Sequence, residues 1–350
     1  PGPALVMGAG AIGCWVGGRL QAAGAEVQFV GRPAVLEELR VLGLTLTDLD
    51  GRRTHLAPAE LRLHAEVPDA PRAQARGDGP THVASPALAV APALVLLCVK
   101  SGSTAEAAAL LALHLPPGTP VLSLQNGIGN PVLAAAAAPA LQIIPGMVGF
   151  NVVHASPGHW HCGTWGELAA QQHAALQPWL QAFAAAGLPL ALHADLRAVQ
   201  WGKLLLNLNN PVNALSGLPL RQQLLDRDLR RTMAALIEEA LAALAANGIE
   251  PAQLAAIPPR LMPFVLRLPT WLFRVLARRS LRMDDQARTS MAEDVARGRP
   301  TEIDALCGEV VRLARTAGLS APRNAWMVER LSHPDPGRLD GREMCRLLGL

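Results

Sequence analysis

Tyrosine is missing from this chain of 350 residues. A reaction that needs a tyrosine hydroxyl as its acid is therefore excluded. This removes the mechanisms of the short-chain dehydrogenases and of the aldo-keto reductases.

Lysine is nearly missing as well. Of the 31 basic residues only Lys100 and Lys203 are lysines, so the other 29 are arginines. Together with the many Ala and Leu residues, this bias indicates a GC-rich genome, in which surface lysines drift to arginine. A lysine ammonium can lose its proton, whereas an arginine stays charged. The two lysines are candidates for tasks that arginine cannot perform, with chance retention as the alternative.

Strong net charge and long apolar runs are absent too. A net charge of +3 gives no reason to expect a nucleic-acid partner. No uninterrupted apolar stretch reaches the roughly 18 residues of a membrane-spanning helix, and the start of the chain lacks the basic region of a signal peptide. We therefore expect neither nucleic acid nor membrane as a partner.

The cysteines are few and form no CxxC pair. They are Cys14, Cys98, Cys162, Cys307 and Cys345. This spacing predicts no disulfide framework and favours a reducing, cytoplasmic compartment.

The length suits two domains, and the first half alternates short apolar strands with helical stretches. Strands are predicted at Ala4–Met7, Glu26–Val30, Leu94–Val99 and Pro120–Leu124, with one or two more in Leu141–Val153 and a helix at Ala11–Ala23. This order is typical of a doubly wound parallel sheet. We predict an α/β fold whose N-terminal Rossmann domain covers 1–194.

The second half consists of Ala/Leu/Glu/Arg-rich segments without strand patterns. Helices are predicted over Leu196–Leu215, Asp228–Asn247, Arg282–Arg297 and Glu302–Ala317. An all-α domain over 195–350 follows. Within the first domain, 66–92 is rich in Pro, Ala, Gly and Arg without any period, which predicts a flexible surface insertion.

A glycine-rich turn directly follows the first predicted strand and opens the first helix. It reads Gly8, Ala9, Gly10, Ala11, Ile12 and Gly13, which fits GxGxxG. The first glycine allows the tight turn, the second lets the backbone approach a pyrophosphate, and the third lets helix and strand pack closely. The phosphates would lie at the helix N-terminus.

The second predicted strand ends in Val30-Gly31-Arg32. Enzymes specific for NAD usually place an acid near this point to bind the ribose hydroxyl. Here no carboxylate would repel a 2′-phosphate, and Arg32 can bind one. The sequence therefore predicts NADPH/NADP+ as the cofactor, with an arginine of no special role as the alternative.

Lys100 and Asn126 each follow a predicted buried strand. Ligands of open parallel sheets bind beyond the carboxyl ends of the strands. Lys100 is therefore expected to face the cofactor, and Asn126 can offer both a donor and an acceptor at the same edge. The alternative for Asn126 is a simple turn residue before Gly127.

Lys203 and Asn207 are four residues apart in an apolar segment, so they share one face of the predicted helix. A lysine and an amide on the inner face of a helix can supply a proton and orient a carbonyl substrate. Ser290 and Glu302 belong to a further polar cluster. Taken alone, they could equally be an ordinary helix residue and a first-turn acid.

With these residues the chain resembles the ketopantoate reductases (2-dehydropantoate 2-reductases) over nearly its whole length. The matching marks are GAGAIG at 8–13, the lysine after LLCV, Gln125-Asn126-Gly127, Trp201-Gly202-Lys203 with Asn207, and Ser290-Met291 followed by Asp294 and Arg299-Pro300-Thr301-Glu302-Ile303-Asp304. No single mark is decisive, but together and in this order they are highly specific.

The resemblance implies a Rossmann domain joined to an all-α domain, with the active site between them. It also implies NADPH-dependent reduction of 2-dehydropantoate to (R)-pantoate, a step toward pantothenate and coenzyme A. Lys203 matches the catalytic lysine that donates a proton, and Glu302 matches the assisting glutamate. The remaining matches are substrate-binding positions at Asn126, Asn207 and Ser290 and cofactor contacts at Lys100 and Arg32.

One stretch departs from the family pattern. The family usually has a second substrate-binding Asn, followed by Pro, eight residues after the lysine. Here Pro211 occupies that spacing and Asn210 lies one residue earlier. Asn210 is the first candidate for the role, with Asn209 and Asn213 as alternatives, and the exact substrate stays open.

Two other segments contain residue types found in binding sites. His154, His159, His161 and Cys162 are close in sequence, but Pro157-Gly158 indicates a hairpin turn and no second cluster completes a ligand set. We expect no metal. The segment 251–281 is apolar, basic and interrupted by prolines, which favours a core or subunit-contact segment over a membrane-surface helix.

Three functions therefore compete: ketopantoate reduction, reduction of a different branched or aromatic 2-oxo acid, and a non-catalytic NADP-binding sensor. The joint presence of Lys203, Asn207, Ser290 and Glu302 argues against a sensor, which needs only the first domain. The expected partner is a small 2-oxo acid, and a homodimer is left open.

Overall fold

The computed structural model describes residues 1–70, 90–164, 166–278, 281, 287–333 and 335–350. These residues form two compact units, 1–196 and 197–350. The first combines strands and helices, and the described part of the second contains helices and no strand. The predicted fold class is confirmed.

The first unit contains the strands. They are β1 (Ala4–Met7), β2 (Val27–Val30), β3 (Leu44–Asp48), β4 (Arg53–Leu56), β5 (Arg62–His64), β6 (Leu94–Leu97), β7 (Pro120–Ser123), β8 (Gln142–Val148), β9 (Val152–Ser156), β10 (His159–Cys162), β11 (Leu168–Gln171) and β12 (Leu190–His193). Its helices are α1 (Ala11–Ala22), α2 (Pro33–Leu42), α3 (Thr104–His114), α4 (Asn130–Ala137) and α5 (Leu180–Ala185).

An eight-stranded sheet runs in the order β12-β11-β8-β7-β6-β1-β2-β5. The pairs from β5 through to β8 are parallel, and β8 and β11 are antiparallel. The carboxyl ends of β1, β2, β6 and β7 therefore lie at one edge, which is where ligands of such sheets bind.

The central strands are apolar throughout because both faces of the sheet are covered. In β1 and β6, side chains alternate between two apolar cores. Ala4, Val6, Leu94 and Leu96 join α1 and α2 on one face, and Leu5, Met7, Val95 and Leu97 join α3 and α4 on the other. Apolar runs such as Leu94–Leu97 thus predict these strands well.

A second sheet, in the order β4-β3-β10-β9, is not predicted from the sequence. Its strands β9 and β10 form the hairpin expected around Pro157-Gly158, and β10 pairs in parallel with β3. The polar composition of β3 and β4 (LTLTD and RTHL) hides them because only part of each strand is buried.

The first residues of the predicted insertion 66–92 do not form a flexible surface segment. Val67 and Ala70 are buried in the core beside α3, so the first residues of 66–92 belong to the packed fold. Residues 71–89 lie outside the described residues.

The second unit consists of helices. They are α6 (Arg197–Asn207), α7 (Asn209–Ser216), α8 (Leu220–Leu225), α9 (Arg227–Ala246), α10 (Met262–Arg267), α11 (Thr270–Leu276), α12 (Ser290–Ala296), α13 (Cys307–Thr316), α14 (Pro322–Ser332) and α15 (Gly341–Leu347). Helix α9 is the longest of these, and α10, α13 and α15 pack against it. No described helix has the length and apolarity to cross a membrane.

Three predicted helices are shorter than expected. The segment Leu196–Leu215 divides at Leu208, because Pro211 has no N–H for the carbonyl of Asn207. Helix α12 begins at Ser290, where the Thr289 side chain accepts from the Ala292 N–H. Residues 282–286 of that predicted helix lie outside the described residues.

The last of the three, Glu302–Ala317, is broken as well. It contains a 3-10 turn over Ile303–Ala305 and then α13, with Leu306 outside helical geometry (φ −112°, ψ −85°). Glu302 precedes both elements and is no first-turn acid of a long helix.

Candidate active site

The glycine-rich turn is pinned to the end of β2. The backbone N–H groups of Gly8 and Ala9 both donate to the carbonyl of Val30, at 2.9 Å each, and the Gly10 N–H donates to the Gly8 carbonyl at 2.8 Å. The turn therefore has one defined path between β1 and α1.

Two glycines of this turn have opposite surroundings. A Cβ on Gly13 would overlap the Gly8 carbonyl oxygen, so only glycine lets α1 approach the turn. A Cβ on Gly10 would meet nothing within 4 Å. No side chain caps the N-terminus of α1, which begins directly after Gly10. This cradle fits a pyrophosphate.

Arg32 is exposed directly before α2, two residues after the Val30 carbonyl that anchors the turn. The structure thus brings Arg32 and the glycine-rich turn to the same edge of the sheet. The backbone between them is fixed by the Gly31 N–H, which donates to the His64 carbonyl.

Lys100 and Asn126 follow the neighbouring parallel strands β6 and β7 at this same edge. Strand β6 ends at Leu97, three residues earlier than Lys100, so the lysine lies in the following loop and is exposed. Asn126 is partly buried, and Gly127 has a positive φ of 84° that turns the chain toward α4.

Two further residues at this edge, Thr104 and Asn130, were not predicted from the sequence. They begin α3 and α4, are buried, and their side chains lie within 2.8 Å of each other below Lys100 and Asn126. A buried Thr and Asn at the start of two otherwise Ala- and Leu-rich helices was the available signal.

Lys203 lies on α6 in the second unit and is partly buried. Burial lowers the pKa of Lys203 to about 8, and the negative charge of Glu302 opposes this shift. The structure therefore places Lys203 and Glu302 close enough for their charges to interact. An ammonium whose pKa is near 8 can both hold and release a proton at neutral pH.

Asn207 lies one helical turn after Lys203 and ends α6. Of the three alternatives nearby, Asn209 accepts from Gln223 Nε2 at 2.5 Å. Asn213 is fully buried: its Nδ2 donates to the Leu218 carbonyl, and its Oδ1 accepts from the backbone and hydroxyl of Thr289. Asn210 is partly buried, and the described residues give its side chain no partner.

Ser290 is the exposed first residue of α12. The Asn213–Thr289 contacts attach this helix to α7, and both polar atoms of the Asn213 side chain have partners within the protein. Further along α12, buried Asp294 pairs with Arg299 at 3.1 Å and accepts the Arg299 N–H through its carbonyl at 2.8 Å. This closes the turn that leads to Glu302.

The histidine group lies on the small sheet of the first unit. Thr47 Oγ1 is 2.8 Å from ring nitrogens of both His159 and His161, and His154 stacks on Trp160 and contacts Glu38 at 2.9 Å. Within the described chain no group of three or more His, Cys, Asp or Glu side chains is placed to hold a metal ion.

The segment after α9 presents apolar side chains to solvent. Phe264, Trp271 and Val275, on α10 and α11, are each about two-thirds exposed. Arg230 of α9 holds these helices from below: its fully buried guanidinium donates to the carbonyls of Leu224, Leu266 and Leu268 and stacks on Phe273.

Comparison with known families follows this division of the chain. Residues 4–175 match the family model "Ketopantoate reductase PanE/ApbA", and residues 195–334 match "Ketopantoate reductase PanE/ApbA C terminal". The chain belongs to the ketopantoate reductase family. It is therefore an oxidoreductase of that family.

Relatives within the family are distant. A 2-dehydropantoate 2-reductase of Halobacterium salinarum is 28% identical over 257 residues, covering 70% of this chain and 78% of that protein. Another, from Pyrococcus abyssi, is 25% identical over 337 residues, covering 91% and 93%.

Solved structures share the fold over almost the whole chain. A ketopantoate reductase of Ralstonia eutropha JMP134 matches with a TM-score of 0.73 and 26% identity, covering 94% of this chain and 97% of that one. The ternary structure of D-mandelate dehydrogenase with NADH and anilino(oxo)acetate also matches with a TM-score of 0.73, at 19% identity, covering 95% and 98%.

Proposed function

We propose that this protein reduces 2-dehydropantoate to (R)-pantoate with NADPH, in the synthesis of pantothenate and coenzyme A. The observation that carries the proposal is Lys203, a partly buried ammonium whose pKa is about 8 and whose charge interacts with Glu302. It supplies the proton that reduction of a carbonyl requires. Family membership supports the same reaction.

The first unit offers the residues that would hold the cofactor. The close backbone approach allowed by the glycine-rich turn 8–13 and the uncapped start of α1 suit the pyrophosphate. Arg32 binds the 2′-phosphate, and Lys100 adds a further contact at the strand end. When bound, reduced nicotinamide supplies a hydride to the C2 carbonyl carbon.

The second unit offers the residues for the substrate. Lys203 donates its proton to the carbonyl oxygen as the C–O double bond becomes a C–O single bond, which leaves a neutral lysine and a 2-hydroxy acid. Glu302 binds the substrate hydroxyl and keeps Lys203 protonated before the reaction. Asn207, Asn210 and Ser290 bind the polar ends of the substrate.

The two lysines allow a paired test. Lys203→Ala is expected to lower kcat by a factor of about a thousand or more, because the carbonyl oxygen loses its proton donor, while the Kd for NADPH stays near the wild-type value. Lys100→Ala is expected to raise the Kd for NADPH with a smaller loss of kcat. Normal turnover by the Lys203 variant would overturn the proposed mechanism.

A second candidate is reduction of another branched or aromatic 2-oxo acid. It is favoured by Pro211, which divides α6 from α7 where the family pattern has an Asn followed by Pro. NADPH oxidation measured with a panel of 2-oxo acids decides between them. Preference for 2-dehydropantoate supports the first candidate, preference for another acid supports the second, and NADPH binding without turnover supports a sensor.

The state of the cysteines bears on the compartment. All five thiols are free, and four of them are buried. This supports a protein made and kept under reducing conditions, as in the cytoplasm.

A further inference from the structure

A buried polar network lies beneath the carboxyl ends of β6 and β7. Its members are Ser123, Gln125, Thr104 and Asn130, each at most 8% exposed. Polar groups at such depth are costly unless they are hydrogen-bonded. Their contacts therefore show what the network holds in place.

Gln125 and Thr104 hold the backbone on both sides of Lys100. Gln125 Nε2 donates to the Val99 carbonyl at 2.9 Å, and the Thr104 hydroxyl lies 2.9 Å from the Ser101 carbonyl. The residue before Lys100 and the residue after it are thus both attached to the network. The Lys100 carbonyl in turn accepts the Ser103 N–H at 2.8 Å.

Asn130 joins this loop to the loop that carries Asn126. Its Nδ2 donates to Ser101 Oγ at 3.0 Å and to the Asn126 carbonyl at 2.5 Å, and its Oδ1 accepts from the Thr104 hydroxyl at 2.8 Å. One amide group therefore fixes the spacing between the segments that contain Lys100 and Asn126.

Gln125 also connects Thr104 to Ser123, the last residue of strand β7. Gln125 Nε2 also donates to Thr104 Oγ1 at 2.7 Å, and Gln125 Oε1 accepts from the Ser123 hydroxyl at 3.0 Å. The Thr104 hydroxyl accepts from Gln125 and donates its one proton to either Asn130 Oδ1 or the Ser101 carbonyl. A satisfied buried network of this kind specifies one local arrangement.

We propose that Asn130 and Thr104 are positioning residues that hold Lys100 and Asn126 at the spacing needed by the bound cofactor and substrate. The roles of Lys100 and Asn126 rest on the proposed function, whereas the attachment of their loops does not. Displacement of a contact residue by about 1 Å can reduce turnover about a hundredfold.

Two substitutions break the network and two serve as controls. Asn130→Asp keeps the shape but replaces both N–H donors by an acceptor, and Thr104→Val removes only the hydroxyl. Thr104→Ser restores the hydroxyl. Thr119→Val is the matched control: Thr119 is also buried and bonds the Pro116 carbonyl at 2.7 Å, but it directly precedes the opposite, amino end of β7.

The measurements are the Kd for NADPH, kcat and KM for the 2-oxo acid, and amide hydrogen exchange. Asn130→Asp and Thr104→Val are expected to raise the Kd about tenfold, lower kcat about tenfold, and speed exchange in 99–104 and 126–130 only. Thr104→Ser and Thr119→Val are expected to stay within about twofold of wild type in Kd and kcat.

Unchanged Kd, kcat and loop exchange in Asn130→Asp would overturn the inference. It would also be overturned if Thr119→Val changed Kd and kcat as much as Asn130→Asp does, since this would indicate a general loss of stability. If wild type binds NADPH but reduces no 2-oxo acid, the proposed function fails, and the Kd and exchange still decide the inference. If wild type binds no NADPH, loop-restricted exchange alone decides it.

Discussion

The ammonium of Lys203 is easier to deprotonate than that of an exposed lysine, because burial disfavours its charge. Glu302 limits the shift, so the group stays mainly protonated at neutral pH with a pKa of about 8. The same residue in a more polar setting would hold its proton too tightly to be an efficient acid. The environment of Lys203 is thus as informative as its identity.

The pH dependence of turnover should follow this group. Since Lys203 must be protonated to act as the acid, kcat is expected to fall as the pH rises through about 8. Glu302→Gln removes the charge that raises the pKa, so the alkaline limb should move to lower pH. The measurement is kcat against pH for both proteins at saturating substrates. An alkaline limb at the same pH in both would refute the coupling.

Arg32 decides the choice of cofactor in the proposed function. Arg32→Ser is expected to reduce the preference for NADPH over NADH about ten- to a hundredfold, since a hydrogen bond to a charged group contributes about 1.5–3 kcal/mol. Arg40→Ser, on α2, the helix that follows Arg32, and beside Glu37, should leave the preference unchanged. The ratio of kcat/KM for the two cofactors measures this preference. Equal ratios in wild type, Arg32→Ser and Arg40→Ser would rule out a role of Arg32 in cofactor choice.

At the scale of elements, the strand-turn-helix unit of β1 and α1 has separate requirements for folding and for binding. Gly13 is needed for the fold, because any side chain would overlap the Gly8 carbonyl. Gly10 has open space around it, so its small size matters only when a ligand approaches. A sequence motif alone cannot separate these two roles.

The pair Gly13→Ala and Gly10→Ala tests the separation. Gly13→Ala is expected to destabilise the protein by about 2 kcal/mol or more through overpacking. Gly10→Ala should keep the stability of wild type but weaken NADPH binding at least about tenfold. Denaturant unfolding and NADPH titration measure the two effects. A Gly10 variant that binds NADPH normally would show that the cofactor lies elsewhere.

The sequence predicts the elements that depend on local pattern. The apolar runs of β1, β6 and β7 and the position of the glycine-rich turn follow from periodicity and from the needs of a phosphate. The helix breaks at Leu208 and Leu306 do not follow from periodicity, although Pro211 was visible. Asn130 and Thr104 left only a weak signal as polar residues at the start of two apolar helices, and their contact with each other spans 26 positions of the chain, which periodicity does not show.

At the scale of the whole molecule, each unit has its own internal support. The first is built on two apolar cores that cover the faces of the large sheet. The second depends on α9, whose buried Arg230 binds three backbone carbonyls. A defect in one unit can therefore be separated experimentally from the ligand site of the other.

Arg230 provides that test. Arg230→Met leaves the three carbonyls without their donor and is expected to cost about 3 kcal/mol, while the Kd for NADPH, bound in the first unit, should not change. Arg231→Met removes the neighbouring arginine, which pairs with Asp228 at the surface, and should cost less than about 1 kcal/mol. Urea unfolding of both variants measures the difference. Equal losses would show that Arg230 has no special structural role.

The scarcity of lysine has a practical consequence for labelling and immobilisation. The side-chain amines of this protein are Lys100, which is exposed at the expected cofactor edge, and Lys203, which is partly buried with a lowered pKa. Besides the α-amine, amine-reactive dyes, crosslinkers and sensor surfaces would thus find only the two residues proposed for cofactor binding and proton donation. Coupling at either lysine would interfere with the binding that such an assay measures, whereas a thiol-reactive or affinity-tag attachment would not modify either amine.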